Sequence, residues 1–181
     1  MSRSTTWKTL SSKKIYENDW ISLRHEEFQT PSGKQGMYGV VGGKDFALVI
    51  PKIDDDYYMV ETYRYTVNKM SLEFPAGGIE PTEEPIDSAK RELSEEAGLK
   101  SFHFNKLGFL YSSNGFSTIG CHIYFADKCT FSAQKLEASE EGMQVKKLSF
   151  YEIEKLIISG KITDGPTVSA FCLYQLYLKK R

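Results

Sequence analysis

The sequence predicts an α/β sandwich preceded by a small antiparallel β element. Three observations carry this. Short apolar runs bounded by turn residues recur along the chain and read as strands. Three stretches read as packed helices, at residues 85–97, 149–160 and from Pro166 to about residue 178. The first 42 residues hold only strand-like runs and one sharp turn. The division expected is therefore 1–42, a β element, and 43–181, the main domain.

In chain order, residues 8–16 and 20–28 have strand character. Thr30-Pro31-Ser32-Gly33-Lys34 is a turn in which proline presets one dihedral and glycine permits the next. Residues 37–41 return as a third strand. Three strands this short bury little alone, so they need another surface, the main domain or a second subunit. Residues 46–51 form a compact apolar strand. Asp54-Asp55-Asp56 is a solvated turn, because its acids lack calcium-loop spacing. Residues 57–64 complete a hairpin with the strand before it. Residues 71–74 lead into Pro75-Ala76-Gly77-Gly78, and strands follow at 107–112, 119–126 and 145–148. Ser149 and Glu152 form a capping box for a helix carrying Ile153, Leu156 and Ile157, which Gly160 stops. The last helix is apolar through Val168, Phe171, Cys172 and Leu176, so it packs.

Composition narrows the class. Lys+Arg 23 against Asp+Glu 24 gives a net charge of -1, without the basic footprint that a long nucleic acid requires. Cys121, Cys129 and Cys172 are odd in number and widely spaced, which fits no zinc pattern and favours reduced thiols in a cytoplasm. The first residues form no apolar signal segment, and no run reaches membrane-spanning length.

The chemistry concentrates between Gly77 and Leu99. Pro85 suits a first helical turn and Gly98 the left-handed position past the last. Ile86, Ala89, Leu93 and Ala97 make one apolar stripe. Glu92, Glu95 and Glu96, three and four residues apart, crowd a neighbouring face taken to be solvent-facing, and Arg91 stands four before Glu95. Such a run is either a solvated acidic face or an oxygen-ligand site for a hard divalent cation. The glycines at 77 and 78 favour the second account, because they let backbone come close to a ligand.

Gly77-x5-Glu83-x7-Arg91-Glu92-Leu93-x-Glu95-Glu96-x-Gly98-Leu99 matches every specified position of the Nudix box, and the chain is identified by it as resembling the Nudix hydrolases. The resemblance implies an α/β/α sandwich with a mixed sheet, and hydrolysis of a nucleoside diphosphate linked to another group, with Mg²⁺ or Mn²⁺. It implies that Glu92, Glu95 and Glu96 hold the metals together with the Ala76 carbonyl. It implies too that Arg91 orients the glutamates and that Glu83 supports it.

A looser likeness covers most of the chain. Trp20 through the Pro31–Gly33 turn, Thr62-Tyr63-Arg64, Leu72-Glu73-Phe74-Pro75-Ala76-Gly77-Gly78 and Gly160 to Thr167 resemble the ADP-ribose and ADP-sugar pyrophosphatases. That branch implies a homodimer exchanging its N-terminal strands. It places Arg64 and Glu73 at the substrate, and Trp20 and Tyr38 around the base, one from each subunit. It makes Glu140 or Glu141 the catalytic base in the loop at 137–142. The branch implies ADP-ribose as substrate, giving AMP and ribose 5-phosphate. The stretch Ser113-Asn114-Gly115-Phe116-Ser117-Thr118-Ile119 departs from it. Asn114 stands for proline, and Thr118 and Ile119 stand for two acids. Base and sugar therefore stay open, with GDP-sugars, dinucleoside polyphosphates or another organic pyrophosphate as alternatives, and a non-catalytic nucleotide sensor as a further one.

Overall fold

The structure, a computed structural model, describes residues 6–136 and 140–180. The chain divides into two compact units. The smaller takes the N-terminal strands to Lys44 and the segment Tyr111–Gly120. The larger takes Asp45–Leu110 and the chain from Cys121 onward.

In the smaller unit, β1 (Lys8–Glu17), β2 (Ile21–Gln29) and β3 (Gln35–Gly43) form an antiparallel sheet in that order. The turn falls where the sequence puts it. Gly33 takes a φ of 87°, and its N–H donates to the Thr30 carbonyl at 2.9 Å. Every residue of β1 is exposed. The segment 111–120 closes onto β3. The Val41 N–H donates to Phe116 O at 2.8 Å, and the Thr118 N–H donates back to Val41 O at 2.9 Å.

The larger unit runs β4 (Phe46–Ile53), β5 (Asp56–Arg64), β6 (Lys69–Glu73), β7 (Ala76–Gly78), α1 (Pro85–Ala97), β8 (Leu99–Lys100), β9 (His103–Tyr111), β10 (Gly120–Asp127), β11 (Thr130–Phe131), β12 (Gln144–Ser149), α2 (Phe150–Ile158) and α3 (Gly165–Leu178). The main sheet is mixed, in the order β12-β5-β4-β10-β9, with β6 on β5 and β7 on β4. β10 runs parallel to β4, and the β4–β5, β5–β12 and β4–β7 pairs are antiparallel. β8 and β11 make a separate two-stranded pair.

Strand periodicity explains the sandwich. Side chains alternate between faces, so a strand buried on both faces must be apolar throughout. On β4, Leu48 and Ile50 enter one core with Ile153 of α2 and Ala170, Phe171 and Tyr174 of α3. Ala47 and Val49 enter a second core with Ala89, Leu93 and Ala97 of α1. β10 splits the same way, with Ile123 and Phe125 in the first core and Tyr124 and Ala126 in the second. This is the α/β sandwich with mixed sheet and small N-terminal antiparallel sheet that the sequence predicts. The acid triplet is a hairpin turn, with Asp54 left-handed and Asp56 paired to Lys147 at 2.6 Å. No described helix is long and apolar enough to cross a membrane.

Candidate active site

The site is built on α1 and on the bend between β6 and β7. Pro85 opens α1, and Gly98 closes it at a φ of 60°, its N–H reaching back to carbonyls of the last turn. Arg91 is the hub of the exposed side. Its guanidinium grips Glu83 through two nitrogens, at 3.0 and 3.1 Å, and reaches Glu95 at 3.1 Å. It also donates to Glu92, and to the Gly78 carbonyl at 2.9 Å. Acceptors on five residues, Ser88 being the fifth, converge on this one guanidinium and hold the box together.

One cation does not balance this many acids. Carboxylate oxygens of Glu92, Glu96 and Glu140 lie within 4.8 Å of one another. Glu92 and Glu96 are buried, at 5% and 3% exposure, which corrects the expectation of a solvent-facing acidic row. The reason is the 74–78 segment. The Ala76 N–H donates to Glu96 at 2.8 Å, and Gly77 packs directly on the Glu92 carboxylate. Burial disfavours the charged form of both acids. Glu92 is pushed up to about 7, with Arg91 opposing and Glu95 and Glu140 reinforcing the rise. Glu96 is pushed up to about 9, again mainly by burial, with Glu92 and Glu140 adding repulsion. Three clustered oxygen donors, two of them buried, fit a hard divalent cation. Glu95 accepts from Arg91 and is not one of this cluster of three.

The 73–78 segment is held at every residue. The Glu73 carboxylate takes two hydrogen bonds from Arg64, at 2.9 and 2.6 Å. The Phe74 N–H donates to the Thr167 hydroxyl at 3.1 Å. The Pro75 carbonyl accepts from the Val49 N–H at 2.9 Å. Ala76 is tied to Glu96, Gly77 pairs with Ala47 across the sheet, and Gly78 accepts from Arg91. Beside the segment lies a cavity of about 590 Å³, lined among others by Arg64, Lys69, Ser71, Glu73, Ala76, Gly77 and Asp164.

Comparison with known proteins agrees with this geometry. The family model described as the NUDIX domain matches residues 46–171. The chain belongs to the Nudix family, and the protein is a Nudix hydrolase. The model described as the nucleoside diphosphate sugar hydrolase N-terminal domain matches residues 7–41 of the same chain. An ADP-ribose pyrophosphatase of Bacillus subtilis is 29% identical over 180 residues, covering 98% of this chain and 96% of its own. A methanol dehydrogenase activator of Bacillus methanolicus is 28% identical over 171 residues, covering 93% and 92%. A solved structure titled as an ADP compounds hydrolase superposes with a TM-score of 0.88 at 19% identity, covering 99% of this chain and 98% of that one, and shows the shared fold.

The remaining predicted residues of this Nudix hydrolase sort clearly. Arg64 and Glu73 come together as a bidentate pair on the cavity wall. Glu140, itself half-buried, lies beside the buried Glu92 and Glu96, and Glu141 sits exposed in the turn that follows. Residues 137–139 of that loop lie outside the described residues. Trp20 and Tyr38 are both exposed, at 75% and 46%. Tyr38 stands opposite Glu26, six residues along from Trp20, or about 20 Å at strand rise. One copy of the chain therefore does not bring these two rings together around a single base. Sequence reading missed Asp164 and Thr167. Their signal was Asp164-Gly-Pro166-Thr167, an N-cap acid with proline in the first turn.

Proposed function

We propose that this Nudix hydrolase cleaves the pyrophosphate bond of a nucleoside diphosphate sugar, with ADP-ribose as preferred substrate and AMP and ribose 5-phosphate as products. The observation that carries the reading is the three-carboxylate cluster, two members of it buried, in a chain whose first strands match a nucleoside diphosphate sugar hydrolase N-terminal domain.

Glu92, Glu96, Glu95 and the Ala76 carbonyl are the groups assigned to Mg²⁺ or Mn²⁺. The cation, when bound, neutralises phosphate oxygens and lowers the pKa of an attacking water. The chain's own groups do the rest. Arg64, held flat by Glu73, faces the cavity and binds a phosphate oxygen. Arg91 keeps the glutamates aligned. Glu140, beside Glu92 and Glu96, accepts the proton as water attacks phosphorus and the bond to the bridging oxygen breaks. Its place in the cluster favours it over Glu141.

A second reading concerns base and sugar only. Asn114, Thr118 and Ile119 belong to the same compact unit as Trp20 and Tyr38, so the departures fall among the residues assigned to the base. A changed pocket would redirect the same machinery to GDP-sugars or a dinucleoside polyphosphate.

The test is phosphatase-coupled phosphate release from ADP-ribose, ADP-glucose, GDP-mannose, NADH and diadenosine polyphosphates, with Mg²⁺ and with EDTA. Preference for ADP-ribose that EDTA abolishes is the expected result. Preference for a GDP-sugar or dinucleoside substrate selects the second reading, and turnover persisting in EDTA refutes the metal assignment.

The protein is further proposed to act as a homodimer that exchanges β1–β3. Leu10, Ile15, Tyr16 and Met37 on these strands, and Trp7 and Trp20 just before β1 and β2, stand exposed, more apolar surface than a lone sheet of this size leaves in water. Removing residues 1–42 is expected to turn the dimer seen by light scattering into a monomer of the shortened chain and to abolish turnover. A truncated monomer with full activity refutes the exchange.

A further inference from the structure

We propose that Thr167, with Asp164, is a positioning residue of the active site: the first turn of α3 sets the height of the 73–78 segment against α1. The inference rests on the hydrolase reading above and assigns it a part outside the Nudix box. Thr167 is fully buried, and Phe74 is 1% exposed. The Thr167 hydroxyl accepts the Phe74 N–H at 3.1 Å and so joins residues 93 apart in the chain. The Asp164 carboxylate accepts the Thr167 N–H at 2.8 Å, which caps α3 and fixes the backbone that carries the hydroxyl.

What it holds gives it a role beyond capping. One residue before Phe74, Glu73 clamps Arg64; two residues after, Ala76 contacts Glu96 and offers the carbonyl assigned to the cation. Phe74 lies between these two functional ends. Asp164 also lines the cavity that Arg64, Glu73, Ala76 and Gly77 share. Without the hydroxyl, the Phe74 N–H is buried and unpaired, and the segment must shift to find another acceptor. A shift of a fraction of an ångström moves a cation ligand and a phosphate-binding arginine together, and misplacement of about 1 Å can cost ~10²-fold in rate.

The test compares Thr167→Val, Thr167→Ser and Tyr174→Phe in the full-length protein. Tyr174→Phe removes the buried 3.0 Å hydroxyl contact with Tyr57 from the same helix, seven residues beyond Thr167 and without a hydrogen bond to the segment, and serves as the control for lost stability. Thr167→Val is expected to lower kcat about tenfold and raise the Mg²⁺ concentration for half-maximal rate several-fold. Thr167→Ser is expected to restore both within about twofold, since it keeps the hydroxyl. A readout free of turnover is the rise in urea unfolding midpoint on adding Mg²⁺, expected to shrink in Thr167→Val and to stay at the wild-type value in Tyr174→Phe. An unchanged Mg²⁺ response in Thr167→Val overturns the proposal, as does the same loss in Tyr174→Phe. A wild-type protein silent on every diphosphate overturns the substrate reading alone, because the midpoint shift still decides the role of Thr167.

Discussion

Glu96→Gln is expected to cut kcat by about 10²- to 10³-fold at saturating Mg²⁺ while making the metal-free protein more stable at alkaline pH. The rate loss follows from removing one full negative charge from a dry site in which fixed charges act strongly. The stability gain follows from burial. An acid raised to about 9 in the folded state keeps its proton at pH 7, where the unfolded chain, with an ordinary value of 4.5, has lost it. The unfolded state is then favoured progressively as pH rises from about 4.5 to about 9, and Glu92 contributes the same sign up to about 7. Glutamine imitates the neutral acid and still accepts the Ala76 N–H, so the variant escapes this loss. In EDTA, its urea midpoint should fall less steeply than the wild type's between pH 5 and 9 and lie above it at pH 9. With Mg²⁺ the order should invert, because the wild type gains a cation that the variant holds poorly. A variant with near-normal kcat, or one whose metal-free midpoint follows the wild-type pH curve, would sink the assignment of Glu96.

The contrast between that burial and the sequence reading shows what a linear chain reveals. The relation of Arg91 to Glu95 was legible because four residues on a helix are neighbours in any fold. The caps were legible for the same reason: Pro85, Gly98 and the Ser149–Glu152 box act within one turn. Burial of Glu92 and Glu96 was not legible, because the covering segment arrives from β6 and β7 and acids at helical spacing ordinarily face water. Glu140 could be placed in an acidic loop, but its meeting with Glu92 and Glu96 is a tertiary contact. The Thr167–Phe74 bond is more distant still in sequence. β8 and β11, two residues each, are too short to show any period. The chemistry was therefore readable from residue types at fixed local spacing, and the electrostatics that tune it were set by packing across the fold.

Gly77→Ala is expected to reduce kcat at least 10²-fold while shifting the unfolding midpoint little. A Cβ at this position would overlap the Glu92 carboxylate itself. The backbone cannot yield easily, since Gly77 is paired with Ala47 on β4 and its neighbours are tied to Glu96 and Arg91. The carboxylate is the far end of a flexible side chain, so it is the part that moves. Turning away removes a buried, half-neutralised acid from a setting that raises its pKa, so the fold loses little. The site loses one of three clustered oxygens and the contact that Arg91 makes with it. Mg²⁺ should therefore raise the urea midpoint less in Gly77→Ala than in the wild type, and added Mg²⁺ should recover only part of the rate. The pairing of these readouts separates two accounts of the glycine. If Gly77 served only to let the chain bend, alanine would lower stability and rate together, with the Mg²⁺ response intact. If it exists to admit the Glu92 carboxylate against bare backbone, stability stays and the Mg²⁺ response falls, and the overlap with Glu92 makes that the outcome to expect.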